Sequence, residues 1–523
     1  MAKVTIAQNA VVAKLIDPTK EVATFVTNLL SYNVEGGLGW SGKSSFYNVI
    51  NCTFPAGFVT IVREELQKIG HTVGLVKKPA PPPRGPESPI VDAFGNDDPD
   101  YDYQMQALRQ VEKHNAGIIR VATGGGKSKI AKLIMARYDR PTLFLTTRGI
   151  LLYQMKDQLE ELKMEIGQVG DGELSFSRGV NLGMVQTLVQ ALEVPSRDAE
   201  MREIIKSLHT AKGKNPNTSR AEILKMADEV VERKNKRRDV ILKFLSLIEV
   251  VIGEEAHEAG GKSYYEILRY CKNAHIRVAL TATPFMRSSA EDNMRLMAAF
   301  GPVLIDIPEK LLIDRGILAK PFFRFVDVEA PKGLHKTSPF ERAYTLGYIE
   351  NQNMLDAMLK DALRARDYSL PVLVLVARKK HGDNILESYR SNGLRVEFLR
   401  GEDKMEVRQA QLKCLVNGEI DVLIGTNILD VGVDVPAIGL VQRAGGMKAE
   451  VQLRQQIGRG LRRKRDMPNF AFIADYSCNA NATLRDHAAQ REAIVRFTPG
   501  FAEGILPPGD DFDWSIFETK MAA

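Results

Sequence analysis

The stretch ATGGGKS, Ala122–Ser128, sets three consecutive glycines before a lysine and a hydroxyl. Glycines allow a tight turn whose backbone N–H groups converge with no Cβ in the way. Apolar Ile118–Val121 precedes the loop and helix-forming Lys129–Tyr138 follows it. The expected context is therefore strand, loop, helix N-terminus, where the helix dipole favours an anion. A phosphate chain suits this composition. Thr123, Gly124, Gly125 and Gly126 would wrap it, Lys127 would reach the β and γ phosphates, and Ser128 would meet a metal ion. The strict G-x-x-x-x-G-K-[ST] pattern asks for glycine at 121, where this chain has Val121. Taken alone, a glycine-rich turn before an ordinary helix is the alternative.

A second stretch bears on that choice. In VVIGEEAHEAGG, residues 250–261, an apolar run ends in Glu254 and Glu255, followed by His257. A carboxylate at a strand's carboxyl end can hold Mg2+, and Glu254 is the candidate. The next carboxylate, Glu255, can orient and deprotonate an attacking water. A solvated acidic loop is the bland alternative. It weakens because TATP, Thr281–Pro284, closes yet another apolar run further along.

These residues need elements to position them. Short apolar runs alternate with helical stretches: GIIRVA (117–122), TLFLTT (142–147), EVVIG (249–253) and RVALTATP (277–284). A second series follows: LPVLVLVA (370–377), VEFL (396–399), DVLIGT (421–426) and FAFIAD (470–475). Continuous apolar strands alternating with helices predict parallel sheets covered on both faces, here two α/β domains in tandem. The expected layout is a small N-terminal accessory domain, a candidate for DNA binding, over 1–78 and a stiff proline-rich linker over 79–99. The first α/β domain takes 100–316 with a helical insertion near 191–248, the second takes 317–497, and 498–523 is a tail with no readable role. Within the accessory domain a helix is expected over Phe58–Ile69, stopped by Gly70.

Composition narrows the class. The 523 residues are 44% hydrophobic and 26% charged, with a net charge of +6 that is compatible with a polyanion but not diagnostic of one. No apolar run is long enough to span a membrane, and no export signal is read at the start, so a cytoplasmic protein is expected. Cys52, Cys271, Cys414 and Cys478 lie far apart without a CxxC pair, which argues against a zinc site or a disulfide framework.

ATGGGKS, EEAH, TATP, GTNILDVGVDVP (425–436) and QQIGRGLRR (455–463), in that order, resemble motifs I, II, III, V and VI of superfamily 2 helicases. The spacing and the joining segment LIDRGILAKP (312–321) are most similar to the branch-migration and repair group that includes UvsW-type phage helicases, XPB and RecG. The resemblance covers roughly 100–497 and implies two RecA-like domains, ATP and Mg2+. One departure is Glu254, where the group has aspartate. The extra methylene moves the carboxylate outward by about one C–C bond, and metal binding is expected to survive with altered rate or metal preference.

The resemblance also implies further roles. Gln104, in DYQMQA, reads the adenine edge with an amide that both donates and accepts. Gly432 and Asp434 meet the nucleotide from the second domain, and Arg459 and Arg462 are arginine fingers. His257, Thr281, Thr283 and Gln455 couple the nucleotide to the polynucleotide. Thr147, Arg148, Gln186, Thr187, Arg378, Lys379 and Thr426 contact one strand, as hydroxyls, amides and cations suit phosphate oxygens. Arg463, Lys464 and Arg465 read as a solvated basic surface or phosphate contacts. The expected partner is DNA, forked or branched, with RNA in R-loops and replication or recombination proteins as further candidates. The cluster ERKNKRR (232–238) is a solvated helix face or a duplex contact. The competing readings are a double-stranded DNA translocase that does not separate strands, an RNA helicase, and a non-catalytic binding module.

Overall fold

The computed structural model describes residues 3–35, 41–89, 98–162, 164–210, 218–258, 262–285, 289–426, 438–445, 450–464 and 467–520. Its contacts divide into two units, one of Met1–Arg120 with Lys127–Asp306, the other of Val121–Gly126 with Ile307–Ala523.

The first unit begins with strands β1 (Lys3–Gln8), β2 (Val12–Ile16), β3 (Ser31–Glu35), β4 (Ser41–Ser45), β5 (Thr53–Pro55) and β6 (Thr72–Lys77). A four-stranded sheet runs β5-β2-β1-β6, with β3 and β4 paired separately. Its buried alternation, Val4 and Ile6 in β1 and Ala13 and Leu15 in β2, is the period-two pattern of a half-buried sheet. The helix after β5 spans Val59–Lys68, with Gly70 at φ +90° just beyond, as the glycine stop predicts. Val22, Val26, Val62 and Leu66 pack beneath the sheet together with Ala298 of the helix Ala290–Phe300. Gly57 makes that approach possible, since a Cβ there would lie 2.1 Å from the Met297 carbonyl oxygen.

The larger sheet of this unit is built from β7 (Ala116–Val121), β8 (Thr142–Thr146), β9 (Ile166–Gly170), β10 (Glu173–Leu174), β11 (Val180–Met184), β12 (Val250–Glu254), β13 (Ile276–Thr281) and β14 (Val303–Ile307). Their order is β10-β9-β11-β8-β12-β13-β7-β14. Pairing is parallel from β9 through to β7, so the carboxyl ends of β7, β8, β12 and β13 share one edge. Every residue of β8, β12 and β13 is buried, as continuous apolar runs demand. Helices Arg197–Thr210 and Arg220–Leu247 follow β11, and a reciprocal Ser219–Glu222 capping box starts the second. The proline-rich stretch does not run free: Arg140 donates to the Pro82 carbonyl at 2.6 Å and Arg137 to that of Gly85 at 2.8 Å. It is strapped against the helix Lys127–Tyr138.

The second unit carries β15 (Lys320–Asp327), β16 (Val372–Val376), β17 (Val396–Leu399), β18 (Val422–Gly425), β19 (Leu440–Ala444) and β20 (Phe470–Ser477). The order is β15-β20-β19-β16-β18-β17, parallel throughout. The tail, unreadable in the sequence, completes this core. Phe512 stacks on Phe472 of β20 at 4.4 Å between centroids, while Trp514 and Phe517 meet the same ring edge-on. Among the described residues no helix is long and apolar enough to cross a membrane.

Trp514 is 2% exposed and its Nε1 is buried without a hydrogen-bond partner. Trp514→Ala is therefore expected to cost the second unit about 3–5 kcal/mol, read as an earlier urea transition. Trp514→Phe, which keeps a ring and loses no hydrogen bond, should cost much less.

Candidate active site

The glycine loop leaves β7 and enters the helix Lys127–Tyr138. Gly124 and Gly126 have φ of +87° and +81°, a conformation that L side chains resist. Val121, where the strict pattern wants glycine, is a fully buried end of β7. A branched side chain is at home in a strand core, and the turn begins only after it. Gln104 lies at the start of the helix Tyr103–His114, which packs against Lys127–Tyr138. It is 2% exposed, and its Oε1 is buried with no hydrogen-bond partner.

Strand β12 delivers the carboxylates. Glu254 is its last residue, and the Tyr264 hydroxyl donates to the Glu254 carbonyl at 2.8 Å. Glu255 follows with φ +43°, a left-handed backbone that a bulky residue adopts only when its surroundings enforce it. That turn brings Glu255 Oε1 to 3.0 Å from Lys127 Nζ, with both side chains nearly buried. The second oxygen, Oε2, is buried without a hydrogen-bond partner, 3.5 Å from His257 Nδ1. His257 Nδ1 is in turn 2.7 Å from Thr281 Oγ1, and that hydroxyl accepts the Thr283 N–H at 3.2 Å. Motifs that were separate in the sequence thus join into one chain, Lys127–Glu255–His257–Thr281–Thr283.

The electrostatics split the adjacent acids. Burial and then the neighbouring Glu255 charge push the Glu254 carboxyl up to about 8. Burial also acts to raise Glu255, but Lys127, His257 and Arg148 outweigh it and hold that carboxyl below its usual range. Two carboxyls of opposite protonation tendency side by side can place a base and accept a divalent cation. Ser128, half-buried in the first turn after the loop, adds a hydroxyl.

Of the strand-contact candidates in this unit, Thr147, Arg148 and Gln186 gather at the ends of β8 and β11. Gln186 Nε2 donates to the Thr147 carbonyl at 2.8 Å. Thr187, half-buried, follows in the helix Val185–Leu192. In the second unit Arg378 immediately precedes the helix Lys379–Ser391, lies over the Tyr344 ring at 4.7 Å and pairs with Glu341, while Lys379 pairs with Glu402. Thr426, half-buried, follows β18. Gly432 and Asp434 lie outside the described residues.

The helix Glu450–Gly460 carries Gln455, half-buried, and Arg459, 6% exposed. Within the second unit this helix passes Thr123, because a Cβ on Gly458 would stand 2.8 Å from the Thr123 side chain. Arg462, half-buried, bridges Leu318 through its backbone, and burial lowers its pKa. Lys464 corrects the expectation of a basic surface. It is 4% exposed, its ammonium donates to the Gly460 carbonyl at 2.8 Å, and burial pulls its pKa down to about 7. It caps the helix end. Arg463 is exposed, as expected, and Arg465 lies outside the described residues.

Sequence reasoning missed a buried network behind that helix. Arg443 of β19 donates to Gln456 at 2.9 Å and pairs with Asp475 of β20, which Arg491 also clasps at 2.7 Å. Asp475 is the charge that interrupts the apolar run FAFIAD within β20, and that was the one available signal.

Comparison with known proteins places this geometry in a class. Residues 99–286 match the family profile described as type III restriction enzyme, res subunit, and 353–464 match the helicase conserved C-terminal domain. Together they take in more than half of the chain, and the chain belongs to the superfamily 2 helicases. It is 23% identical over 244 residues to putative helicase 22 of Sulfolobus islandicus filamentous virus, covering 44% of this chain and 43% of that protein. Matched stretches stay well under two thirds of the curated relatives' own lengths. A structure of a putative HsdR subunit of a type I restriction enzyme from Vibrio vulnificus YJ016 aligns with 88% of this chain and 74% of its own, at 17% identity and a TM-score of 0.50. The structure of T4 UvsW aligns with 97% of this chain and 99% of its own, at 15% identity and a TM-score of 0.41. Both parallel-sheet domains are RecA-like.

The raised carboxyl of Glu254 has a stability consequence. Unfolding releases its proton above the usual 4.5, whereas the folded state keeps it to about 8. Its contribution is therefore complete below pH 4.5 and is lost as pH rises toward 8, with a slope of at most about 1.4 kcal/mol per pH unit. In metal-free buffer, the resistance of the first unit to urea should fall between pH 5 and 8 in the parent, and Glu254→Gln should flatten that dependence.

Proposed function

We propose that this protein is an ATP-dependent DNA helicase that remodels branched DNA such as forks, Holliday junctions or R-loops. The observation that carries the motor reading is the buried Lys127–Glu255 pair beside a positive-φ glycine loop, with Glu255 Oε2 left unpartnered. A buried carboxylate oxygen without a donor fits a place where water is held for attack.

In this reading the loop 123–126 and Lys127 hold the triphosphate, Gln104 reads adenine through its unpartnered amide oxygen, and Ser128 and Glu254 hold Mg2+. The metal, when bound, neutralises phosphate charge. Lys127 turns from Glu255 to the phosphates, which leaves Glu255 with its full charge to orient the water and take its proton. Arg459 and Arg462, with Gly432 and Asp434, serve the same nucleotide, the guanidiniums stabilising charge on the transferring phosphoryl group. His257, Thr281, Thr283 and Gln455 pass the nucleotide state to the polynucleotide. Thr147, Arg148, Gln186, Thr187, Arg378, Lys379 and Thr426 grip one strand by its backbone.

Support for a branched substrate is the material beyond the two sheets. The N-terminal β-sheet packs on the helix Ala290–Phe300, and the long helix Arg220–Leu247 carries the basic ERKNKRR run. A second reading is a double-stranded DNA translocase that leaves strands paired. The match to a restriction-enzyme profile favours it.

Lys127→Ala should abolish phosphate release from ATP, and Arg459→Ala should lower kcat by about a thousandfold or more. Strand displacement measured on forks, Holliday junctions, R-loops and RNA duplexes should favour branched DNA. Hydrolysis stimulated by plain duplex without displacement would instead select the translocase, and preference for RNA duplexes would select an RNA helicase.

A further inference from the structure

The cations assigned to the strand are each held by a carboxylate, but not equally. Arg378 and Lys379 pair with Glu341 and Glu402, whose side chains are 72% and 58% exposed. Water competes for such pairs, and an incoming phosphate displaces them cheaply. Glu258 differs. Its side chain is 13% exposed, and it accepts from Thr147 Oγ1 at 2.6 Å and from Arg148 Nε at 2.8 Å and Nη2 at 2.7 Å. A hydroxyl together with the two N–H groups along one edge of a guanidinium is a donor set suited to two oxygens of one phosphate. Gln186 secures the same site through the Thr147 carbonyl.

We propose that Glu258 is an internal stand-in for a backbone phosphate, occupying Thr147 and Arg148 until a nucleic-acid strand displaces it. The inference rests on the reading of Thr147 and Arg148 as strand contacts. Its consequence reaches the nucleotide. The Glu258 N–H donates to the Glu255 carbonyl at 2.9 Å, closing the turn in which Glu255 has φ +43°. Displacing Glu258 therefore loads the backbone that aims Glu255 at Lys127. Strand arrival and the attack geometry share one tight turn, a physical route for hydrolysis stimulated by nucleic acid.

The test is anisotropy of a labelled single strand across a salt series, on the full chain without nucleotide. Glu258→Gln should bind about tenfold more tightly than the parent. Its salt dependence should steepen by up to about 0.7 in the log–log slope, because one more cation is then uncompensated by the protein when the strand sheds its own counterions. The strand concentration giving half-maximal ATPase should fall in proportion. Should Glu258→Gln fail to fold, Glu258→Asp keeps the charge, loses the reach, and should shift affinity and half-maximal concentration in the same direction. Arg148→Ala separates the two claims. If it leaves strand binding unchanged, the strand-contact reading fails and this inference with it. If it weakens binding while the Glu258 variants match the parent in affinity and slope, only the stand-in role is overturned.

Discussion

The ion pair between Lys127 and Glu255 is the constraint around which the first unit is arranged. Two charges taken nearly out of water repay their desolvation only when the geometry between them is tight. Meeting that condition requires the lysine at a helix start after β7 and the glutamate just past β12, at one edge of a parallel sheet. An antiparallel neighbour would send one of them to the opposite edge. The backbone concession falls on Glu255, whose positive φ turns its carboxylate toward the lysine.

The second unit uses buried charge differently. Arg443, Asp475 and Arg491 are each almost fully buried, and Asp475 stays ionised because both guanidiniums outweigh the burial that opposes it. The triad ties β19 and β20 to the helix Ala482–Arg496, and through Gln456 to the helix that carries Arg459. A guanidinium stabilises a transition state only if it is already placed when charge develops. For the role proposed for Arg459, a buried ionic network behind its helix is a means of placing it.

How much of this was legible depends on the distance over which each feature is decided. Parallel sheets were readable because runs such as LPVLVLVA must be buried on both faces whatever surrounds them. The glycine loop was readable because its conformation is a local demand of Gly124 and Gly126. Lys464 was misread because its partner is a carbonyl at the end of the helix before it, and charge runs show sign but not direction. The tail was opaque for a plainer reason. Phe512 and Trp514 find their places only against Phe472, some forty residues earlier in the chain, and such pairings leave no local period. The Arg443–Asp475–Arg491 cluster is long-range in the same way.

The charge balance at the end of β12 explains why Glu254 and Glu255 can stand side by side. Glu254, Glu255 and Glu258 lie within electrostatic reach of one another, against the cations Lys127 and Arg148. The group that yields is Glu254, whose carboxyl burial and the Glu255 charge raise against the pull of Lys127. A triphosphate entering such a cluster alone would add several negative charges that Lys127 by itself cannot meet. A divalent cation entering alone must first displace the Glu254 proton. On the proposed reading each arrival would make the other cheaper, so the acid pair would favour nucleotide and metal together over either one.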